Sequence, residues 1–357
     1  MAKKLLHGSE AICEGAMRNG CRAFFGYPIT PQSLVPEYMS VEMPKIGGVF
    51  IQAESEVSAI NMVHGAAGAG VRAMTSSSSP GMSLKMEGIS YIACAQIPCV
   101  IVSIMRSGPG LGGILPYQGD YFQSTKGGGH GDYRLIVLAP ANVQEACDFT
   151  YQAFDIADKY RIPVMILGDG MLAQMVEPVE LPPIRDLSTL PKKDWATDGG
   201  TGKDKRLVSS LRIDANDMEA FLNSQQKLYN ELALTECRYD NYLVEDAEII
   251  LTAYGPLWRI CKSAIDDLRS RGIKAGGVRP ITVFPFPTDN FKKLAENTNL
   301  KGFLTVELSL GQMVEDVRLA VNGKKPVEFY GRTGGHVPTE MEIAEKTVEV
   351  LNKLKGK

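Results

Sequence analysis

Two short segments of the sequence carry side chains that could hold and activate an organic ligand. One is the proline turn at positions 26–31, Gly-Tyr-Pro-Ile-Thr-Pro, which contains the Thr30 hydroxyl. The other occupies positions 52–65 and contains the carboxyl groups of Glu54 and Glu56. Each segment lies where a strand pattern ends and a helix pattern begins, which is where open α/β sheets bind ligands. Together the two segments predict a ligand site.

The two glutamates differ in the helix face that each one heads. Residues four, seven and eleven positions apart share one face of a helix. From Glu54 these positions are polar or small, whereas from Glu56 they form an apolar stripe of Ile60, Val63 and Ala67. A carboxyl group on the buried side loses solvation, which favours its neutral form. We therefore predict that Glu56 is a buried functional residue and that Glu54 is a first-turn carboxylate favoured by the helix dipole.

The elements that must position these segments alternate between strand and helix patterns, which predicts the α/β fold class with a mostly parallel sheet. The strands predicted in the first half lie at 23–25, 49–52, 73–75, 99–105, 134–139 and 164–167. The helices predicted there lie at 11–19 with Ser9 as the cap, at 55–69, directly after Ser79-Pro80, and at 143–160. A second βαβ unit begins with a strand at 248–254 and a helix at 256–271.

The same patterns divide the chain into three predicted segments. Residues 1–183 form a larger α/β domain, and residues 244–357 form a smaller one. Between them, residues 184–243 combine a Pro-, Gly- and Lys/Asp-rich stretch with a helical pattern, which is typical of a linker and a connecting helix.

The composition is typical of a globular protein without a nucleic-acid or membrane partner. Hydrophobic residues make up 44% and charged residues 22% of 357 residues, and the net charge is −3, which gives no electrostatic reason to bind nucleic acid or an anionic membrane. We also see no secretory signal and no apolar run long enough for a spanning helix. Seven scattered cysteines without a Cys-x-x-Cys pair favour reduced thiols in a cytoplasmic protein and argue against a zinc or iron–sulfur site on this chain.

A glycine-rich stretch offers an alternative function. Residues Gly108 to Gly113 match the spacing of a dinucleotide-binding loop after a predicted strand. The helix that such a site needs is not predicted, because residues 114–131 contain a proline and several glycines and show no helical period. A nicotinamide-dependent dehydrogenase using this loop is kept as the alternative.

A second short motif, Gly168-Asp169-Gly170, begins like the Mg²⁺ and diphosphate motif of thiamine diphosphate enzymes. That motif needs an asparagine about 25 to 30 residues later, because the Asp and Asn oxygens together hold the metal. Residues 194–198 read Asp-Trp-Ala-Thr-Asp. We therefore predict that this chain does not hold the diphosphate end by itself and that Asp169 lies in a strand-end turn.

Four patches together resemble the alpha subunit of 2-oxoacid:ferredoxin oxidoreductases. They are Tyr27-Pro28-Ile29-Thr30-Pro31, the Glu56 segment ending in Val63-His64-Gly65, the serine-rich run at 75–81, and Arg106-Ser107-Gly108-Pro109-Gly110. The likeness extends from the first helix through the second βαβ unit. It implies a pyrimidine-binding domain of a thiamine diphosphate enzyme followed by a transketolase-C-like domain.

The resemblance also implies cofactors and partner chains. Thiamine diphosphate would be shared with a beta subunit that carries the diphosphate and Mg²⁺ motif, and iron–sulfur clusters would lie on partner chains. Ferredoxin-like and gamma subunits, ferredoxin, CoA and a 2-oxoacid complete the expected partners. The implied reaction is oxidative decarboxylation of the 2-oxoacid to acyl-CoA and CO₂ with ferredoxin as the electron acceptor, and the chain would be inactive alone.

Site residues are carried over from the same motifs. Glu56 would hydrogen-bond N1′ of the aminopyrimidine, and Thr30 and Arg106 would meet the carboxylate and carbonyl of the substrate. The cofactor-binding residues would be Tyr27, Pro28, Ile29, Thr30 and Glu56. No metal ligand is expected on this chain.

The substrate is predicted from a departure from the family pattern in the loop at 106–116, which we call the arginine loop. Members that act on 2-oxoglutarate tend to read Arg-Gly-Gly-Pro-Ser-Thr-Gly, whereas this chain has Gly110 and Leu111 in place of the hydroxyl residues. Fewer polar donors favour a branched-chain acid such as 2-oxoisovalerate over 2-oxoglutarate.

A non-catalytic scaffold subunit of the same complex is kept as a second alternative to the catalytic function, beside the nicotinamide-dependent dehydrogenase.

Overall fold

The computed structural model describes residues 3–200 and 205–356. Its strands are β1 (Lys4–His7), β2 (Ala23–Gly26), β3 (Val49–Gln52), β4 (Ala73–Ser77), β5 (Val100–Met105), β6 (Ile136–Leu138), β7 (Val164–Asp169), β8 (Val176–Val179), β9 (Tyr239–Tyr242), β10 (Ile249–Thr252), β11 (Ala275–Pro280), β12 (Thr282–Phe284), β13 (Gly302–Glu307) and β14 (Val327–Gly331). Its helices are α1 (Gly8–Arg18), α2 (Leu34–Lys45), α3 (Glu56–Gly68), α4 (Ser79–Cys94), α5 (Tyr121–Thr125), α6 (Val143–Tyr160), α7 (Gly170–Gln174), α8 (Ala215–Thr235), α9 (Leu257–Ser270), α10 (Thr288–Leu294), α11 (Met313–Val321) and α12 (Glu340–Leu354).

The first sheet has seven strands in the order β12-β6-β7-β5-β4-β2-β3. All of its neighbours pair in parallel except β12, which is antiparallel to β6. Every residue of β4, β5 and β7 is buried, because helices cover both faces of a parallel sheet. The carboxyl ends of β3, β2, β4, β5 and β7 therefore lie side by side along one edge of the sheet.

The second sheet has five strands in the order β14-β13-β10-β11-β9. Only β9 runs antiparallel to its neighbour, so this sheet is also mostly parallel. Helix α9 packs its apolar side on this sheet and buries Leu257, Cys261 and Ile265 among other side chains. The α/β fold class with parallel sheets is confirmed.

The two sheets exchange segments across the predicted boundaries. Strand β9 precedes residue 244 yet belongs to the second sheet, and β12 follows residue 244 yet completes the first sheet. The buried Gln118 side chain also joins the halves, because its amide donates to the Tyr254 carbonyl at 3.2 Å and accepts from the Leu308 amide at 3.2 Å. The division at residues 183 and 243 stays a prediction, and residues 201–204 of the predicted linker lie outside the described residues.

The first helix differs from its prediction. It begins at Gly8 rather than at residue 11, because the Glu10 carboxylate accepts a hydrogen bond from the His7 amide at 2.8 Å and so caps the helix. Ser9 lies inside the helix and donates to the Ala173 carbonyl at 3.3 Å instead of capping. The preceding strand β1, which pairs antiparallel with β8, was not predicted.

Within the described residues, no helix combines the length and apolar character needed to cross a bilayer.

Candidate active site

Glu56 is the first residue of α3, at the carboxyl end of β3. Ser55 caps the helix, since its hydroxyl accepts from the Ser58 amide at 3.2 Å. Glu56 is only 5% exposed, so its predicted burial is confirmed. Glu54 is exposed and precedes the helix rather than lying in its first turn, and a hydrogen bond with Ser58 lowers the pKa of its carboxyl. The spacing argument therefore predicted the burial of Glu56 and the exposure of Glu54, whereas the predicted first-turn position of Glu54 was wrong.

The Glu56 carboxyl faces the start of α4, the helix that follows β4. A side chain at Gly81 would overlap both Glu56 Oε1 and Ser77 Oγ, so only a glycine leaves room for the carboxyl there. Since Ser77 ends β4 and Glu56 follows β3, Gly81 lies against residues from the carboxyl ends of two strands of the sheet.

Thr30 and Arg106 are also brought together. Arg106 follows β5 and is buried, and its Nη1 donates to the Thr30 carbonyl oxygen at 2.8 Å. Its Nη2 donates to the Leu111 carbonyl oxygen at 2.9 Å, which ties the glycine-rich loop to the same guanidinium. The Thr30 side chain remains exposed. The predicted pair therefore meets through the main chain of Thr30, and its hydroxyl is left open to a ligand.

The proline turn is held by a glutamine that the sequence analysis did not single out. The buried Gln32 side chain donates to the Tyr27 carbonyl at 3.1 Å and accepts from the Ser76 hydroxyl at 2.5 Å. These bonds attach the turn to β4. Tyr27 and Ile29 are half-buried, whereas Pro28 is exposed.

Three buried polar atoms at this edge have no hydrogen-bond partner within residues 3–200 and 205–356. They are Ser77 Oγ, Ser78 Oγ and Arg106 Nε. A buried polar group without a partner costs about 1–3 kcal/mol, so such atoms are uncommon in folded proteins. Their position beside Glu56 and Thr30 fits a polar ligand that would supply the missing bonds.

An acidic side chain completes the arginine side of the site. The Ser79 hydroxyl donates to Asp120 Oδ2 at 2.5 Å and accepts from the Arg106 amide at 3.0 Å. Burial raises the pKa of the Asp120 carboxyl, while the Ser79 hydrogen bond and the Arg106 charge oppose the shift. Ser77 and the Glu56 carboxyl both lie against Gly81, and Ser79 contacts Arg106, so the serine run lies between the two predicted site residues.

The glycine-rich loop closes on itself rather than leading into a helix. Arg106 and Pro116 form an antiparallel bridge, and the Gly113 amide donates to the Ser107 carbonyl at 2.9 Å. The next helix of the described chain, α5, starts only at Tyr121. A dinucleotide phosphate needs a helix N-terminus directly after the glycines, and this loop does not provide one.

The Gly-Asp-Gly motif uses its carboxylate inside the fold. Asp169 ends β7 and caps α7, accepting from the amides of Met171 and Leu172 at 3.0 Å each. The predicted turn is thus the start of a short helix. Burial raises the pKa of Asp169 to about 6. Among the described residues no cluster of His, Cys, Asp or Glu has a metal-binding arrangement, and all seven cysteines are free thiols.

Lys85 was missed in the sequence and lies directly behind Glu56. It is fully buried on α4, and its ammonium donates to Thr75 Oγ1 at 3.0 Å and to the Glu56 carbonyl at 3.4 Å. Burial lowers the pKa of Lys85 to about 8, and the charge of Glu56 opposes the shift. A signal was available, because Lys85 is spaced four residues before Ile89 and four after Gly81 on the buried face of α4.

Two family models match the chain. Residues 14–215 match the model described as pyruvate flavodoxin/ferredoxin oxidoreductase, thiamine diphosphate-binding, and residues 247–343 match pyruvate:ferredoxin oxidoreductase core domain II. The chain belongs to the 2-oxoacid:ferredoxin oxidoreductase family, as an alpha-type subunit. Membership of this family favours a 2-oxoacid:ferredoxin oxidoreductase subunit over the nicotinamide-dependent dehydrogenase, in agreement with the geometry of the glycine-rich loop. The first domain is thus a thiamine diphosphate-binding domain.

Relatives of this oxidoreductase subunit cover nearly the whole chain. Ketoisovalerate oxidoreductase subunit VorB of Methanothermobacter marburgensis is 50% identical over 98% of both chains. The 2-oxoglutarate synthase subunit KorA of Methanocaldococcus jannaschii is 36% identical over 96% of this chain and 99% of its own.

Solved structures support the same fold. The 2-oxoglutarate:ferredoxin oxidoreductase of Magnetococcus marinus superimposes with a TM-score of 0.90 at 25% identity, covering 98% of this chain and 65% of that longer one. A split-gene transketolase has a TM-score of 0.60 at 12% identity over 97% of both chains, a likeness of fold alone. The predicted relation to transketolase-type domains is confirmed at that level.

Proposed function

We propose that this subunit supplies the pyrimidine side of a thiamine diphosphate site that is completed by a beta subunit. The complex would convert a 2-oxoacid to acyl-CoA and CO₂ and pass the electrons to ferredoxin. The buried carboxyl of Glu56, set against Gly81 and Ser77 at the carboxyl edge of the sheet, is the observation that carries this proposal.

The residues at this edge suit the aminopyrimidine of the cofactor. Glu56 would hydrogen-bond N1′ of the ring, and the unpartnered hydroxyl groups of Ser77 and Ser78 could accept or donate bonds to the ligand. Tyr27, Pro28 and Ile29 would pack beside it. When bound, thiamine diphosphate supplies the nucleophilic carbon that attacks the 2-oxo group, and the protein supplies position and proton control.

The substrate would lie on the arginine side of the site. Thr30 offers an exposed hydroxyl, and Arg106 has a free Nε while its two terminal nitrogens hold the surrounding loops. A fixed guanidinium next to a hydroxyl suits the carboxylate and carbonyl of a 2-oxoacid. Both residues therefore have a substrate-binding role in this proposal.

The substrate that we favour is 2-oxoisovalerate, with 2-oxoglutarate next. The 50% identity to a ketoisovalerate oxidoreductase subunit supports this order, compared with 36% to a 2-oxoglutarate synthase subunit. The loop above Arg106 supports it as well, because Leu111, Ile114 and Leu115 are exposed apolar side chains. A second carboxylate on the substrate would find no additional cation in this loop.

A beta subunit is needed for the diphosphate end. The Asp169 carboxylate is fully buried, with Oδ1 accepting from two main-chain amides and Oδ2 from the Gln118 side chain at 3.4 Å, so it is poorly placed to bind Mg²⁺. Beside the site, Val57 and Leu84 add to the exposed apolar side chains of the arginine loop. We expect a partner to cover this surface in an obligate interface of about 2,000 Å² or more.

Electron transfer to ferredoxin would use iron–sulfur clusters on partner chains of the complex, with ferredoxin-like and gamma subunits as the expected carriers. All seven cysteines of this chain are free, and five of them are buried, so they are poorly placed to hold a cluster. Free thiols also favour a cytoplasmic location.

The test compares Glu56→Gln with Glu54→Gln in the complex co-expressed with its partner subunits. Glutamine keeps the size of Glu56 but cannot exchange a proton, so we expect turnover of 2-oxoisovalerate to fall about 100-fold or more. The exposed Glu54 serves as the matched control and should retain activity. Wild-type turnover of the Glu56→Gln complex would refute the proposal and favour a non-catalytic scaffold subunit.

A further inference from the structure

Lys85 occupies an electrostatically unfavourable position. It is 0% exposed, and its ammonium makes its hydrogen bonds to two neutral oxygens, those of the Thr75 hydroxyl and the Glu56 main chain. Burying an ammonium without a hydrogen-bonded anion is costly. Its position near the first carbonyl of α3 adds to the cost, because the N-terminus of a helix carries partial positive charge.

The charge of Glu56 opposes the lowering of the Lys85 pKa by burial. Of the elements packed on this part of α4, α3 contributes Glu56, and β4 contributes the neutral hydroxyl groups of Thr75 and Ser77. Within the described part of the chain, Lys85 forms no ion pair with any carboxylate at hydrogen-bonding distance. Opposite charges attract strongly where water is excluded, so a buried ammonium bonded to the main chain of Glu56 acts on the charge of the Glu56 side chain.

Helix α4 contacts Glu56 at two points. Gly81 lies against the carboxyl oxygen, and Lys85, one helical turn later on the same face, reaches the main-chain carbonyl. The same helix therefore sets both the position of the Glu56 side chain and the charge behind it.

We propose that Lys85 is a positioning residue that acts through Glu56, where its buried positive charge disfavours a proton on the carboxyl and so favours that proton on the ring nitrogen which Glu56 faces. The inference rests on the proposed role of Glu56 toward the aminopyrimidine. No atom is gained or lost in this step, since one proton is shared between the carboxyl oxygen and the ring nitrogen. Lys85 does not touch the substrate.

The test uses the assembled complex with Lys85→Met, Glu56→Gln and the double variant. The first readout is the pH profile of kcat. The second is the number of protons taken up when thiamine diphosphate binds, measured by titration calorimetry in buffers of different ionisation enthalpy. We expect Lys85→Met to move the pH dependence of kcat and the pH dependence of proton uptake to higher pH by about one unit. A proton binds more readily at a site that has lost a neighbouring positive charge.

The double variant and a control separate this role from a structural one. If Lys85 acts through Glu56, adding Lys85→Met to Glu56→Gln produces no further change in kcat or in proton uptake. Ile89→Val, one turn further along the buried face of α4, removes a methyl group without changing charge and should leave both curves in place.

Three results would overturn the inference. If kcat and proton uptake depend on pH in Lys85→Met as they do in the wild type, while Glu56→Gln is still impaired, the inference about Lys85 is refuted and the proposed function is not. A further loss of the same size in the Glu56→Gln background would show that Lys85 acts independently of Glu56. No effect of Glu56→Gln on either readout would overturn the proposed function together with this inference.

Discussion

Replacing Lys85 by methionine should make the protein more stable at neutral pH. The pKa of Lys85 falls from its ordinary 10.5 to about 8, mainly because the ammonium is buried. Each pKa unit corresponds to about 1.4 kcal/mol, so keeping the side chain charged in the folded state costs about 3 kcal/mol below pH 8. Methionine has a similar length and no charge, and it loses the hydrogen bonds to Thr75 at 3.0 Å and to the Glu56 carbonyl at 3.4 Å, together worth about 1 kcal/mol because the second is long. The net gain is about 2 kcal/mol.

The sign of the pH dependence follows from the lowered pKa. Between pH 8 and 10.5 the unfolded chain binds more protons at Lys85 than the folded chain, so wild-type stability rises with pH across this range. The advantage of Lys85→Met should therefore be full at pH 7 and should shrink as the pH approaches 10.5.

Thermal unfolding of the full chain at several pH values measures this effect. For a chain of this size, about 2 kcal/mol corresponds to a rise in Tm of about 3 °C at pH 7. Ile89→Val is the control. It removes a buried methyl group without changing charge, so the decrease in Tm that it causes should be the same at every pH. A lower Tm for Lys85→Met at pH 7, or a difference that does not change between pH 7 and 10.5, would refute the reasoning.

Three further predictions concern the site and its support. Arg106→Lys cannot bridge two carbonyls and a substrate, so the KM for the 2-oxoacid should rise about 10- to 100-fold in steady-state assays. Gly81→Ala would push into the Glu56 carboxyl, so calorimetry should show weaker thiamine diphosphate binding, and unchanged affinity would contradict the contact. Because burial raises the pKa of Asp169 to about 6, wild-type stability should fall as pH rises from about 4 to 6, and urea unfolding of Asp169→Asn should lack this contribution.

Much of the fold and one part of the site follow from local sequence patterns. Helix α6 was predicted with its observed bounds, Val143–Tyr160, because the apolar period of a helix is a local signal. Strand β3 was likewise predicted with its observed bounds. The burial of Glu56 was predicted for the same reason, since the stripe that it heads repeats every turn of a helix.

Other features depend on contacts between residues that are far apart in the sequence. Strand β12 is only three residues long, and its place in the first sheet is decided by pairing with β6, about 145 residues earlier. The bond between Arg106 and Thr30 joins residues 76 positions apart, so residue type alone could suggest two ligand-binding groups but not their contact.

The sequence by itself therefore determined which residue types stand at the strand ends and which helix faces are apolar, because both follow from the short periods of strands and helices. Only the tertiary structure decided the environment of each charge. Lys85 is an ordinary lysine in the sequence, and it becomes a buried cation behind Glu56 because α3, α4 and β4 pack around it and exclude water. Desolvation is a property of that packing: helical spacing can indicate which face of α4 is buried, but not that the Lys85 ammonium lies at Glu56.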